Sequence, residues 1–247
     1  MRATIIHAPR DIRIEERPDP VLRRPDDAVV RVVAACVCGS DLWPYRGVRP
    51  VEKPHPIGHE FVGVVEAVGD EVSTLAVGDF VVAPWAVSCG ECPQCLNGVH
   101  VACDHRASWG GTDEYGFPVD AGQGERVRVP MADGTLVPVP GVTDPEEGLL
   151  KSLLTLSDVM GTGHHAALAA RVGPARTVVV VGDGAVGLCG VLAARRLGAK
   201  RIIAMSRHED RAAIARRFGA TEVVAERGKA AAEKVRELLG GVLDDSV

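Results

Sequence analysis

The sequence predicts an α/β protein of two domains: a β-rich domain over residues 1–147 and a doubly wound parallel sheet over residues 148–247. Three observations predict it. Up to about residue 145 the chain passes through short β-branched runs, several of them alternating, separated by Gly, Pro and Asp. After "PGVTDPEEG" the apolar period becomes that of helices. From residue 177 strands and helices alternate, which is the mark of parallel strands joined by helical crossovers. A chain of 247 residues is long enough for two buried cores.

The strands of the first domain read as "ATIIHA", "DIRIEE", "AVVRVVAACV", "EFVGVVEAVG", "DFVVAP", "ERVRVP" and "TLVPVP". Two helical segments follow, "LLKSLLTLSDVM" and "GTGHHAALAARVG", the second closed by Gly173-Pro174. "TVVVV" is a continuous apolar strand that runs into a glycine-rich turn and an Ala-rich helix. "RIIAMS" is a strand, "RHEDRAAIARRFGA" a helix, "TEVVAE" a strand and "KAAAEKVRELLGG" an amphipathic helix. The chain has no internal repeat and no low-complexity tract.

Composition narrows the function. The net charge of −5, with no basic block, argues against nucleic acid or an anionic membrane as partner. "MRATIIHAPRDIRIEERPDP" lacks the apolar run of a signal peptide, and no stretch nears the ~20 apolar residues of a membrane span. The expected location is the cytoplasm, where thiols stay reduced. Clustered cysteines are then better read as metal ligands than as disulfides.

Four of the seven cysteines lie in "CGECPQCLNGVHVAC": Cys89, Cys92, Cys95 and Cys103. Four thiolates complete a tetrahedral zinc shell and leave no place for substrate, so the spacing predicts a structural zinc. Two disulfides would be cramped in so short a loop, and a redox pair would leave two cysteines unexplained.

"VVVVGDGAVG" places Gly182, Gly184 and Gly187 in G-x-G-x-x-G order, after a buried strand and at the start of a helix. There the first glycine permits a tight turn, the second lets the backbone approach a pyrophosphate, and the third lets helix and strand pack closely. The amides of Ala185 and Val186 would open the helix and face the anion. Plain strand-to-helix packing is the simpler alternative. An NAD site usually places an acid about 20 residues on. "IIAMSRHEDR" offers Ser206 and Arg207 instead, a hydroxyl and a guanidinium suited to a 2′-phosphate, so NADP is favoured over NAD. Ser206 and Glu209 also spell a capping box, S-x-x-E.

In combination, "IEERPDP", "CVCGSDL", "GHEFVGVVEAVG", "VGDFVV", the four-cysteine segment, "SDVMGTGHHAA" and "VVVVGDGAVGL" resemble the zinc-dependent alcohol dehydrogenases of the medium-chain dehydrogenase/reductase superfamily, over essentially the whole chain. The resemblance implies a GroES-like β domain, a Rossmann domain, and a second, reactive zinc. Its ligands would fall on Cys38, His59 and Asp158, with Glu60 as an adjustable fourth ligand or a neighbour of the metal. Asp41 would orient His59, Ser40 would bond the substrate hydroxyl and take its proton, and Thr162 would pack against the nicotinamide. The implied reaction is hydride transfer between a small alcohol, or its carbonyl, and the dinucleotide. Relatives are usually homo-oligomers.

Two departures qualify these implications. Many relatives carry a histidine where this chain has Trp43, so the proton path would end elsewhere, with His55 near in sequence, and Trp43 would shape the pocket. The chain also ends at "VRELLGGVLDDSV", where the family's fourth Rossmann strand would begin, which predicts an incomplete second domain and an open apolar edge on "TVVVV". A truncated, non-catalytic zinc-binding remnant is therefore the rival reading. Cys36 and Cys189 read as core thiols, and His164 and His165 as residues opening a helix.

Overall fold

The computed structural model describes residues 1–240, and the expected fourth strand of the second domain falls outside them. The chain forms two compact units, Met1–Ser157 and Asp158–Val247, dividing later than the boundary read from the sequence.

In the first unit β1 (Arg2–Ala8), β2 (Asp11–Glu16), β3 (Ala28–Ala35), β4 (His55–Pro56), β5 (Phe61–Val68), β6 (Phe80–Ala83), β7 (Arg126–Val129) and β8 (Val137–Pro138) form two antiparallel sheets, ordered β2-β1-β4 and β7-β3-β5-β6-β8. Three single-turn helices, α1 (Leu42–Tyr45), α2 (Pro93–Leu96) and α3 (Ala132–Thr135), lie in the connections, and α4 (Glu147–Thr155) follows β8. Alternation along the larger sheet decides its two faces. Phe61, Val65, Val81, Ala83, Val127 and Val129 share one core, whereas Val62, Phe80 and Val82 face Leu150, Leu153 and Leu154 of α4. "TLVPVP" pairs only over Val137–Pro138. Prolines at 138 and 140 have no N–H to give a ladder.

Arg128 lies between Val127 and Val129 and points away from their core, yet is 2% exposed. Its guanidinium donates to both carboxylate oxygens of Asp27 (2.6 and 3.0 Å), to Asp113 (2.7 Å) and to the Pro118 carbonyl (3.0 Å). Asp113 in turn accepts the amides of Tyr115 and Phe117. One side chain thus ties a loop to the sheet.

The segment "LLKSLLTLSDVM" does not form one helix. α4 stops at Thr155, and α5 (Val159–Ala169) starts anew. The Ser157 carbonyl accepts the Trp85 amide and the Ser157 hydroxyl donates to the Leu154 carbonyl, which fixes the chain at the break. Asp158 then sits just before α5 with φ −149° and ψ −70°.

In the second unit β9 (Thr177–Val181), β10 (Arg201–Met205) and β11 (Glu222–Val224) pair in parallel, ordered β11-β10-β9. The helices between and after them are α6 (Ala185–Arg196), α7 (Glu209–Phe218) and α8 (Gly228–Leu238). Ile202 and Ala204 pack with Val191 and Ala194 of α6 and Ala215 of α7. Ile203 packs on the other face with Ala231 and Val235 of α8. Both faces of β10 are buried, hence its unbroken apolar run. α5 lies against α6 at two glycines, where a Cβ on Gly163 would come 2.7 Å from the Gly190 nitrogen. Among the described residues β9 pairs with β10 only, and no helix is long and apolar enough to cross a membrane.

Candidate functional site

The four cysteines of "CGECPQCLNGVHVAC" converge. Their sulfurs all lie within 4.8 Å of one another, with Cys89–Cys103 at 3.6 Å and Cys89–Cys95 and Cys92–Cys103 each at 4.0 Å. Sulfurs on a zinc tetrahedron would sit about 3.8 Å apart. The amides of Cys89 and His105 point at the Cys103 sulfur and that of Cys92 at the Cys89 sulfur. The amides of Asp104 and Cys95 bring the Cys92 thiol down to about 6, whereas burial drives the Cys95 thiol up to about 12. Four packed sulfurs cannot all ionise without a cation, and this donor set fits zinc. The lobe is seated on the first unit's core. Ser88 Oγ donates to the Gly134 carbonyl (2.8 Å), Thr135 Oγ1 to the Ser88 carbonyl (3.0 Å), and a Cβ on Gly134 would come 2.2 Å from the Cys89 carbonyl carbon.

A second cluster is built around "GHE". Gly58 has φ +103°, and a Cβ there would come 2.7 Å from the Gln123 nitrogen, so glycine is required to bring that strand edge in. His59 and Glu60 then enter β5. Asp41 is fixed by the Cys38 amide (3.0 Å) and the Gln123 side-chain amide (3.1 Å), both on Oδ2. Its Oδ1 is 3.6 Å from His59 Nδ1, close enough for charge but longer than a hydrogen bond. The other ring nitrogen, Nε2, lies 4.0 Å from Glu60 Oε1. Burial pushes the Cys38 thiol up, while the hydroxyl and amide of Ser40 bond its sulfur and act against that. Asp158 Oδ1 accepts a 2.6 Å bond from Thr162 Oγ1, one turn into α5.

One donor atom each from Cys38, His59 and Glu60, all in the first unit, lies within 4.8 Å of the others. Glu60 is 2% exposed, and its Oε1 has no hydrogen-bond partner among the described residues. A buried carboxylate oxygen in that state is costly unless a cation answers it. The thiol, imidazole and carboxylate set beside it fits zinc.

In the second unit the three fingerprint glycines differ in what they permit. Gly182 has φ +111°, and a Cβ on it or on Gly184 would meet nothing within 4 Å, so the turn is open. A Cβ on Gly187 would come 2.2 Å from the Gly182 carbonyl oxygen. Leu188 makes the first helical bond, back to Gly184, so Ala185, Val186 and Gly187 form the first turn of α6. Amides there have no partner inside the helix and suit an anion.

Ser206 does not form the capping box its spacing suggests. His208 is the N-cap of α7, no side chain caps it, and Ser206 Oγ bonds Asp183 Oδ2 at 3.0 Å instead. Arg211 reaches Asp183 Oδ1 at 3.2 Å. Burial would raise the Asp183 carboxyl, but Ser206 and Arg211 outweigh it and hold it below the usual range. Arg207 is exposed, with Nε 3.2 Å from His208 Nε2.

Two residues are more engaged than the sequence suggested. Cys36, read as a core thiol, donates to Glu60 Oε2 at 2.8 Å. Asp183, an unremarked position between two glycines, binds both Ser206 and Arg211. The register of β3 and β5 was the available signal for the first, since Ala35 opposes Phe61 and places Cys36 opposite Glu60. Trp43 is 49% exposed with the Arg49 guanidinium 5.5 Å from its ring, and His55 Nδ1 bonds the Lys53 carbonyl at 2.9 Å.

The chain is similar to known proteins along its length. Residues 24–141 match the family model of the alcohol dehydrogenase GroES-like domain, and residues 185–247 that of zinc-binding dehydrogenases. The chain is 35% identical over 255 residues to zinc-type alcohol dehydrogenase B of Aspergillus flavus, all of the chain aligning with 57% of that protein. It is 36% identical over 236 residues to a medium chain reductase/dehydrogenase of an Acremonium species, covering 92% of the chain and 77% of the relative. Alcohol dehydrogenase TADH from Thermus sp. ATN1 superposes with a TM-score of 0.84 at 33% identity, covering 97% of this chain and 67% of that one. The fold is that of a zinc-dependent dehydrogenase with GroES-like and Rossmann parts. The chain belongs to the zinc-dependent alcohol dehydrogenase family of the medium-chain dehydrogenase/reductase superfamily. It spans a little over half the length of the Aspergillus relative.

Proposed function

We propose that this chain serves a zinc-dependent alcohol dehydrogenase that moves a hydride between a small alcohol, or the matching aldehyde or ketone, and NADP. The observation that carries it is the Cys38, His59 and Glu60 cluster, with a buried Glu60 oxygen that has no hydrogen-bond partner among the described residues; Asp158 would complete the set, as the family resemblance implies. A zinc held there supplies a Lewis acid that lowers the pKa of a substrate hydroxyl. The chain's own residues do the rest. Asp41 would orient the His59 ring by its charge, 3.6 Å from Nδ1, and the Thr162 hydroxyl holds Asp158. Ser40, whose hydroxyl bonds the Cys38 sulfur, would take the substrate proton. The open turn of Gly182 and Gly184 and the first amides of α6 receive the pyrophosphate. Cys89, Cys92, Cys95 and Cys103 hold a second zinc that keeps a loop folded.

Replacing Asp158 by Ala should cut zinc from two to one per chain and abolish turnover, with the four-cysteine zinc retained. A variant that keeps both metals and its activity refutes the assignment.

The 2′-phosphate reading rests on Arg207 and Arg211 near the end of β10 and on a Ser206 not spent on capping. One observation favours NAD: Asp183 supplies, from the glycine turn, a carboxylate beside Ser206. Arg207→Asp separates the two. With NADP, its affinity should fall by about 10–100-fold while that of NAD barely changes, as for a lost charged hydrogen bond. NADP use unaffected by the change would sink the 2′-phosphate reading.

A further inference from the structure

We infer that Cys36 is a positioning residue for Glu60, its thiol holding Oε2 so that Oε1 is the oxygen turned to the metal cluster. The inference rests on the reading of that cluster as a zinc site. Cys36 lies just past β3, and the antiparallel register sets it opposite Glu60. Directly opposed residues present their side chains to the same face at close range. The backbone repeats the link, with the Cys36 amide donating to the Glu60 carbonyl at 3.1 Å.

The two carboxylate oxygens therefore differ. Oε2 accepts the thiol at 2.8 Å, and Oε1 is buried with no hydrogen-bond partner among the described residues, 4.0 Å from His59 Nε2. A carboxylate free to turn about its last torsion could offer either oxygen, or both. The thiol removes that freedom, as hydrogen bonds to ligating side chains do around metals generally. Thr162 does this for Asp158 through a 2.6 Å bond, whereas Asp41 faces His59 Nδ1 only at charge distance, 3.6 Å. A thiol merely filling space would be replaceable by any side chain of like volume.

The test separates volume from hydrogen bonding. Cys36→Val keeps volume and removes the donor, while Cys36→Ser keeps a donor. Zinc affinity of the second site is read by competition with a chelator, and the ligand field by the visible spectrum after cobalt substitution. The four-cysteine metal, retained, reports that the fold is intact. Cys36→Val should weaken the second site about tenfold or more and alter its cobalt bands, while Cys36→Ser stays within about threefold of the parent. Unchanged affinity in Cys36→Val overturns the inference, and so does equal weakening in both variants. If Cys36→Val loses both metals, Cys36→Ala takes its place under the same criteria, and loss of the four-cysteine metal there too overturns the inference in favour of a packing role. A parent chain that takes only one metal overturns the zinc reading as well. Two metals in the parent with an unaffected Cys36→Val overturn the role of Cys36 alone.

Discussion

Arg128→Leu is expected to destabilise the first unit by about 3–5 kcal/mol, the usual cost of removing one partner from a buried ion pair. Leucine replaces the bulk but leaves Asp27 and Asp113 inside the protein with no guanidinium between them. Against a total stability of about 5–15 kcal/mol for a domain, that is a large part. The pH dependence identifies the cause. Burial would raise the Asp113 carboxyl, but Arg128 and the Phe117 and Tyr115 amides outweigh it and hold it below the usual range. A depressed folded pKa contributes stability above the unfolded value of about 3.9 and loses it as pH falls through the folded value. In the variant burial acts unopposed by Arg128, so acid costs it less. The gap in urea midpoint between parent and variant should therefore be widest near neutral pH and narrow towards pH 4. A gap below about 1 kcal/mol at neutral pH would show that the triad is no keystone.

Cys92→Ser should be as damaging, but locally. Structural zinc sites bind with apparent free energies of about 10–16 kcal/mol at neutral pH, and much of that is folding energy of the segment they hold. Apart from the seam of Cys89 against Gly134 and the Ser88–His100 bond, little else holds residues 89–103: two short turns, α2 and His100–Ala102, with Leu96, Val99 and Val101 exposed. The variant should lose one zinc per chain and gain protease cleavage between residues 89 and 103, while the amides of β3 and β5 keep slow exchange. An unchanged zinc count by native mass spectrometry would sink the assignment.

What the sequence revealed follows the range of each interaction. The four-cysteine site was readable because its ligands lie within 15 positions and the spacing itself is geometric. The glycine turn was readable because Gly182 and Gly187 answer backbone demands made within six residues. Cys38, His59 and Asp158 were not readable from spacing. Strand register brings Cys38 and His59 together, and only the family resemblance named the three. Cys36 and Asp183 were missed for the same reason. Each meets its partner more than twenty residues away, through a contact that no local pattern encodes. The helix predicted across 149–160 failed at Ser157, where a bond to Trp85 overrides propensity.

The seating of the cysteine lobe bears on its portability. Defined by its ligands, the lobe is a segment ending at Cys103, which could be cut out and grafted elsewhere. Gly134 changes that definition. It is far along the chain from the last ligand, yet a single methyl there would strike the Cys89 and Gly90 backbone. The Ser88 and Thr135 bonds close the same seam. The transplantable unit is a knuckle together with the socket it rests in, and a graft of residues 89–103 alone would carry the thiolates without the surface that fixes the first of them.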